Sequence, residues 1–562
     1  MKEIYDQKPW LKFYDKGVPP TLEYPAISYP EFIREAFEKV PDRVALYYMG
    51  SRINYRDLDT LSSQFAHFLA ENGCRPGDTV GVHLPNIPAC YISCLGILKA
   101  GCVYTGASVL MSPDELEQQI NDAGVKILLT LDALFEKVGK VVERTGVKTV
   151  VVASIADFLP PLKKVLGKLL KKIPTGRVGS LPGIKVIRFS QALEAMPRHL
   201  PAVKVNPEAP CFMMYTGGTT GRPKGAVLTH RNVVRHMVQN NSWLGLTIGA
   251  HTTLCPYPMF HVAGCFIAMG CIALGNSLIP VLNPRDLKSL ISAIRKYKPT
   301  SILAVPTIYL ELMKLPEFRA LDFSGIQYFI SGSAPFPAEN IHEFEELVGN
   351  KLIEGYGLTE ATTLITSLPH RGLKKVGSVG IPLSDTEVRL VDPESGQVVP
   401  QGEAGEIVAR GPQIFQGYHN QPEETARTVR DGWLYTGDIA EMDQDGYFYI
   451  VDRVKDMVNV SGFKVFTRVV DEVLVRHPDV DSAATVGLPD PNRPGSEIVA
   501  SAIVLKAGRE KNEAMKQEII AYMKEKVTSY KVPRVIEFMD QLPLSPIGKV
   551  LKRELRKMIS AG

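Results

Sequence analysis

The sequence predicts an α/β fold. A large N-terminal domain holds two doubly wound α/β subdomains and a small β-rich subdomain, and a small α+β C-terminal domain follows. Three observations carry this expectation. Between residues 41 and 160, short apolar runs alternate with helical patterns, the order expected of a parallel sheet flanked by helices. The alternation returns around "HTTLCPYP", "SILAVP" and "IQYFISG", consistent with a second α/β layer. From residue 376 the pattern changes to short strands with turn signals, and after Asp452 a unit of about 110 residues again mixes strands and helices. Domains are therefore expected at 1–452 and 453–562. A chain of 562 residues exceeds what one small core organises, so several units are required.

The elements follow in order. "RVALYYM", "DTVGVHLP" and "VKILLTL" are strand-like, whereas "RDLDTLSSQFAHFLAENG" and "IPACYISCLGILKAG" carry helical patterns. "GCRPGD" at 73–78 closes a helix and opens the next strand. Further on, "TEVRLVDPESGQVV", "GEIVARG" and "GWLYTGDIAEMDQDGYFYIVDR" are short strands, and Asp445-Gly446 between two of them signals a hairpin. Residues 262–282 are uncharged and nearly long enough to cross a bilayer. Gly275-Asn276 and Pro280 interrupt that run, and no second span accompanies it, so the reading is a buried helix, a turn and a short core strand.

Composition narrows the function classes. Apolar and charged shares of 45% and 22% are those of a soluble globular protein, and a net charge of +4 offers no basic field for nucleic acid. The eight cysteines lie between Cys74 and Cys271 without C-x-x-C pairs, which reads as reduced, buried thiols of a cytoplasmic protein. The N-terminus lacks the apolar core of a signal peptide.

Residues 158–177, "FLPPLKKVLGKLLKKIPTGR", carry five lysines, one arginine and no acid. On a helical wheel Phe158, Leu162, Val165, Leu166, Leu169 and Ile173 share one face, and Lys163, Lys164, Lys168, Lys171 and Lys172 the other. Two readings stand: a peripheral docking element for an anionic membrane, or a surface helix laid on the core with its lysines in water.

The densest chemistry lies at 215–225, "YTGGTTGRPKG". A Walker loop requires Gly-Lys followed by Ser or Thr, whereas Lys224 here stands between Pro223 and Gly225. "APCFMMYT" before it and "GAVLTH" after it are strand-like, so the loop joins two strands and does not open a helix. Its glycines allow successive N–H groups to converge on an anion, and Thr216, Thr219, Thr220 and Lys224 add hydroxyls and a charge. Downstream, "EGYGLTEAT" at 354–362 offers Tyr356 for a base, Thr359 for phosphate and Glu360 for Mg²⁺ shared with phosphate oxygens. "YTGD" places Asp438 after a glycine at an expected strand end, suited to ribose hydroxyls.

Taken together, these segments resemble the adenylate-forming superfamily of acyl-coenzyme A synthetases, firefly luciferase and peptide synthetase adenylation domains. The resemblance runs from about residue 25 to 555, and within it the chain looks most like bacterial and archaeal long-chain fatty acid–coenzyme A ligases. "KPWLKFYDKGVPPTLEYP" and the basic insertion before "LPGIKVIRFSQAL" are similar to that group. A peptide synthetase module needs a carrier domain downstream, and only 13 residues follow Lys549. Medium-chain or aryl-acid ligases share every nucleotide motif and stay open as alternatives, as does a non-catalytic acyl- or nucleotide-binding relative.

The resemblance implies ATP, Mg²⁺ and coenzyme A, a fatty acid substrate and two half-reactions through an acyl-adenylate. It implies that Thr216, Gly217, Gly218, Thr219, Thr220, Gly221 and Lys224 surround the β- and γ-phosphates. Gly332, Ser333, Ala334 and Pro335 would form the adenine-side loop. Gly355, Tyr356 and Gly357 would lie against adenine, with Thr359 at the α-phosphate, Glu360 on Mg²⁺, and Asp438, Ile450 and Arg453 at the ribose end. Lys549, in "SPIGK", would bridge the carboxylate and the α-phosphate and, with Glu360, Thr216 and Arg453, carry catalysis. His261, Val262 and Gly264 would line the acyl site, Ser461, Gly462 and Phe463 the coenzyme A tunnel, and Asp452 would be the hinge. One departure stands out: where the family usually reads Tyr-Pro-Arg-Glu-Val-Glu, this chain has Phe466-Thr467-Arg468-Val469-Val470-Asp471. That puts the start of the local helix in doubt. A homodimer is left open.

Overall fold

A computed structural model describes residues 4–561, apart from 171–172, 195, 217–222, 462, 494–495 and 546–549. The chain divides into two compact units. One comprises Leu11–Glu387 and Arg410–Leu434. The other comprises Met1–Trp10, Val388–Ala409 and Tyr435–Gly562.

In the larger unit the described residues form two open sheets, of nine and eight strands. In the first, Val44–Tyr48, Ser277–Pro280, Thr252–Cys255, Ser301–Ala304, Tyr328–Ser331 and Leu352–Tyr356 run parallel, with antiparallel strands at both edges. In the second, Pro210–Thr216, Val103–Gly106, Thr79–His83, Ile127–Leu131, Thr149–Ala153 and Lys185–Arg188 run parallel. Thr79–His83, Ile127–Leu131 and Thr149–Ala153 are buried along their whole length, as central parallel strands covered on both faces are. Helices announce their starts: Asn54 accepts from the Asp57 N–H, and Ser112 with Glu115 forms a capping box. Separate cores result, one around Ile302, Phe329, Tyr309 and Phe344, the other around Leu128, Val138, Val150 and Val152.

The smaller unit holds most of a further sheet in which Glu387–Val391, Gly405–Arg410 and Trp433–Met442 are neighbours in that order, and Phe448–Arg453 pairs antiparallel with Trp433–Met442. Asp445-Gly446 makes the expected hairpin turn, with Gly446 at φ +86°. A three-stranded sheet of Val480–Pro489, Glu497–Leu505 and Val535–Met539 follows, packed with helices Thr467–Val475 and Glu513–Lys526 over Val470, Leu474, Ile503, Ile519 and Met523. Asp452, the expected hinge, lies on the strand Phe448–Arg453 within this unit.

Among the described residues no helix is long and apolar enough to cross a membrane. The uncharged stretch at 262–282 folds as anticipated, into the buried helix Val262–Ala273, a turn at Gly275 and the buried strand Ser277–Pro280. All eight cysteines are free thiols, seven of them buried.

The basic segment forms the helix Pro161–Leu169, and here one expectation is refined. Leu159 is buried and Phe158 packs edge-on against Phe189, but Leu162 and Val165 are 78% and 65% exposed. The helix therefore does not lay its whole apolar face on the core. Lys171 and Lys172 lie outside the described residues.

Candidate active site

The glycine-rich segment is a strand–loop–strand hairpin. Pro210–Thr216 pairs antiparallel with Lys224–Thr229, and the ladder ends at Tyr215 opposite Gly225 and Thr216 opposite Lys224. The stem is anchored from outside by the Tyr215 hydroxyl, which donates to Asp122 Oδ2 at 2.5 Å. Gly217, Gly218, Thr219, Thr220 and Gly221 lie outside the described residues.

Lys224 and Glu360 are 136 positions apart, and a third segment joins them. The two-residue strand Gly417–Tyr418 pairs with the strand that begins at Lys224, with Tyr418 opposite Ala226. From there the Tyr418 hydroxyl donates to Glu360 Oε1 at 2.5 Å, and the Lys224 ammonium stands 5.2 Å from the Tyr418 ring centroid. Burial, and next the Glu360 charge, push the Tyr418 hydroxyl well above its ordinary range, so it stays a donor. On the following helix, Pro422–Thr428, Glu424 forms an ion pair with Lys224. Glu360 sits buried in the short turn Thr359–Ala361, its carbonyl accepting from the Phe415 N–H at 2.8 Å. Gly357 makes that turn feasible: a Cβ there would come 1.8 Å from the Thr363 carbonyl oxygen.

A magnesium ion fits this donor set in one way. No group of three or more His, Cys, Asp or Glu side chains gathers among the described residues. Glu360 would hold the ion as a single carboxylate, with phosphate oxygens and water completing an all-oxygen shell.

Tyr356 ends the strand Leu352–Tyr356 and follows Gly355, and its carbonyl accepts from the Ile365 N–H. In the segment 332–335, expected on the adenine side, Ser333 takes φ +69°, the Gly332 carbonyl accepts from the Tyr257 hydroxyl at 3.1 Å, and Ala334 and Pro335 precede the buried Phe336. Asn86 fixes the segment leading to His261: its amide donates to the Tyr257 carbonyl at 2.8 Å and accepts from the Met259 N–H at 2.9 Å. His261 caps the helix Val262–Ala273, its Nδ1 accepting from the Ala263 N–H at 3.2 Å. Val262 and Gly264 are buried in the first turn of that helix.

The smaller unit brings a second set together. Asp438 is not at a strand end, as expected, but inside the strand Trp433–Met442. Gly437 at φ +73° and a register shift between Ile439 and Ala440 let the strand kink at the acid without ending. Asp438 faces Arg453 across the ladder, and Arg453 Nε pairs with Asp438 Oδ1 at 2.9 Å. The Ile450 carbonyl accepts from Arg468 Nη1 at 2.6 Å.

Asp452, buried, is held by residues that the sequence did not single out for it. Its carboxylate accepts from the Thr467 N–H, from Thr467 Oγ1 at 2.8 Å and from the Arg453 N–H at 2.8 Å. Lys552 Nζ donates in turn to Thr467 Oγ1 at 2.5 Å. The doubt over the helix start is thereby resolved: the helix Thr467–Val475 begins at Thr467, and the Asp452 carboxylate caps it. A proline at that position has no N–H to give. Nearby, burial raises the Asp471 carboxyl from 3.8 to about 7, against the opposing pull of Lys552 and Thr485.

Ser461 takes φ +51° and donates its N–H to Ser496 Oγ at 2.9 Å, while Phe463, exposed, stacks on Tyr530 with centroids 4.8 Å apart. Gly462 and Lys549 lie outside the described residues.

The strand–loop–strand hairpin, with Lys224 and Glu360 joined through Tyr418, can be compared with known proteins. The family described as AMP-binding enzyme matches residues 33–419, and its C-terminal domain matches 469–549. The chain belongs to the AMP-binding enzyme family. It is 36% identical over 556 residues to a long-chain-fatty-acid–CoA ligase of Bacillus subtilis (strain 168), covering 98% of each chain. Among solved structures it resembles the anthranilate CoA ligase AuaEII in complex with anthranoyl-AMP, at 25% identity and a TM-score of 0.83, covering 96% of this chain and 98% of that one. ATP-bound MatB from Rhodopseudomonas palustris gives 26% identity and a TM-score of 0.82, with 95% and 99% covered.

Proposed function

We propose that the chain is an ATP-dependent long-chain fatty acid–coenzyme A ligase. The observation that carries the proposal is the joining of Lys224 and Glu360 through Tyr418 beside the phosphate hairpin. Full-length similarity to a ligase of that substrate class supports the choice of acid.

In the first half-reaction a fatty acid carboxylate oxygen attacks the α-phosphorus of ATP. The new O–P bond gives acyl-AMP, and the bond to the bridging oxygen breaks to release pyrophosphate. Two anions must approach, so charge on the phosphate oxygens has to be neutralised as it develops. Lys224, Thr216 and the loop hydroxyls Thr219 and Thr220 hold the departing phosphates, and Thr359 the α-phosphate. Glu360 would hold the magnesium ion, which adds Lewis-acid neutralisation of the phosphates. Tyr356 lies against adenine, and Asp438, oriented by Arg453, accepts from the ribose hydroxyls. Lys549 bridges carboxylate and α-phosphate. An ionised carboxylate needs no general base, so His261 serves as wall or gate of an acyl site along the helix Val262–Ala273.

In the second half-reaction the thiol of coenzyme A attacks the acyl carbon. AMP leaves with the electron pair of the broken C–O bond, and the thiol proton passes to solvent. Ser461, Gly462 and Phe463 line the pantetheine path, and residues 453–562 turn about Asp452 between the two steps.

A pyrophosphate-release screen over acids of increasing chain length, with and without coenzyme A, tests this reading. Turnover should rise toward long chains and yield thioester only when coenzyme A is present. A preference for aryl or medium-chain acids would reassign the substrate.

We also infer that the helix Pro161–Leu169 makes peripheral contact with an anionic membrane in which such acids dissolve. Its exposed Leu162 and Val165 beside Lys163 and Lys164 support this. Co-sedimentation with anionic vesicles should fall in Lys163→Glu/Lys164→Glu; unchanged binding would refute it.

A further inference from the structure

Glu424 has no assigned part in the reaction, yet its carboxylate holds the cation that the phosphate hairpin presents. Three features make this contact unusual. First, Lys224 leads out of the phosphate loop, and its ammonium has two neighbours on one segment: the Glu424 carboxylate and the face of Tyr418. Second, the pair is only partly screened from water, with the Lys224 side chain 20% and the Glu424 side chain 31% exposed, so an incoming anion can reach it. Third, Glu424 has a second cation. Arg427, one turn along the same helix, stands 3.7 Å from its other carboxylate oxygen and is itself largely exposed.

We propose that Glu424 is a stand-in anion for the nucleotide's phosphates, a positioning residue that holds Lys224 in place until ATP displaces it. The chemistry is an exchange of partners. A lysine beside a glycine-rich loop, left alone, would sample many rotamers; Glu424 holds it in one, at a net cost to ATP affinity because the ion pair has to break first. Paired with Glu424 and lying against Tyr418, it is already held at the start of the strand Lys224–Thr229. Triphosphate oxygens carry more charge than one carboxylate and win the ammonium. Glu424 is not stranded by the loss, because Arg427 remains within reach. Tyr418 stays fixed through the exchange: its N–H donates to Thr425 Oγ1 at 2.9 Å and its hydroxyl to Glu360. Binding of the phosphates at Lys224 is thus coupled through one aromatic residue to the carboxylate that would take the metal.

This proposal rests on the reading of Lys224 as a phosphate ligand, and the experiment separates the two. ATP binding to the full-length protein is measured by calorimetry without acid or coenzyme A, for wild type, Lys224→Ala, Glu424→Gln and the double variant. If Lys224 binds phosphate, Lys224→Ala weakens affinity; if it does not change affinity, that reading fails. If Glu424 competes with phosphate for Lys224, Glu424→Gln tightens ATP binding about fivefold, the scale of one part-buried ion pair. In the Lys224→Ala background the same change should be nearly silent. Equal tightening in both backgrounds would mean simple repulsion between Glu424 and ATP, and weaker binding in Glu424→Gln would mean that the acid only braces the fold. Either result overturns the proposal while leaving the phosphate reading of Lys224 intact. Glu424→Asp, which keeps the charge, should return affinity toward wild type.

Discussion

Two lysines of this protein meet acid-bearing clusters, and the clusters are built to opposite ends. Lys224 touches Glu424 through a single ion pair open to water, and both partners have an alternative at hand. Lys552 reaches Asp452 only through the Thr467 hydroxyl, and that carboxylate is buried under three donors from two residues. A part-buried pair with spare partners can be exchanged at little cost. A buried carboxylate with several donors cannot lose one without an uncompensated charge. The first arrangement suits a place where a ligand arrives, the second a rigid structural anchor.

The comparison can be broken from the rigid side first. Thr467→Pro removes the N–H and the hydroxyl that hold Asp452, and should lower stability by about 3 kcal/mol, the scale of hydrogen bonds to a buried charge. Urea unfolding of the full-length protein reads it, and a change near zero would mean that the cluster is not a structural joint.

A second, pH-dependent effect comes from Asp471. Because burial raises its carboxyl from 3.8 to about 7, the folded chain keeps a proton that the unfolded chain loses first. Stability from this group is present below pH 3.8 and lost as the pH rises toward about 7. Asp471→Asn has no such proton, so its stability should vary less with pH across that window. Parallel profiles for the two proteins would contradict the assignment.

The smallest change is expected on the exchangeable side. Glu424→Gln should move stability by less than about 1 kcal/mol, as for other accessible pairs, although it alters ATP affinity. A large loss of stability there would erase the distinction between the two clusters.

What could be read in advance follows from the range of each interaction. Alternating apolar runs, the hairpin at Asp445-Gly446 and the interrupted stretch at 262–282 are local patterns, and all reappear in the fold. Strands on either side of the glycine-rich loop were legible for the same reason. Tyr418 and Glu424 were not, because "GYHNQPEET" reads as a turn before a helix. Only the antiparallel register of Gly417–Tyr418 against the strand from Lys224 brings them to the site. Asp438 was expected at a strand end and lies inside a strand, since a kinked strand and an ended one share the same Thr-Gly-Asp pattern. The loss of the family's proline at Thr467 looked like damage to a helix start. Its meaning depended on Asp452, 15 residues earlier and on a different element. The exposure of Leu162 and Val165 was hidden because periodicity shows that a face exists, not what covers it.

We propose that one chain makes an acyl-adenylate and then hands the acyl group to a thiol, with Lys549 serving only the first step. Single-turnover assays can take the steps separately: fatty acid with ATP, and synthetic acyl-AMP with coenzyme A. Wild type should form acyl-AMP and one pyrophosphate in the first assay, and acyl-coenzyme A with AMP in the second. Lys549→Ala should nearly abolish the first while leaving the second largely intact. Equal loss in both assays, or release of ADP and phosphate by the wild type, would contradict the account.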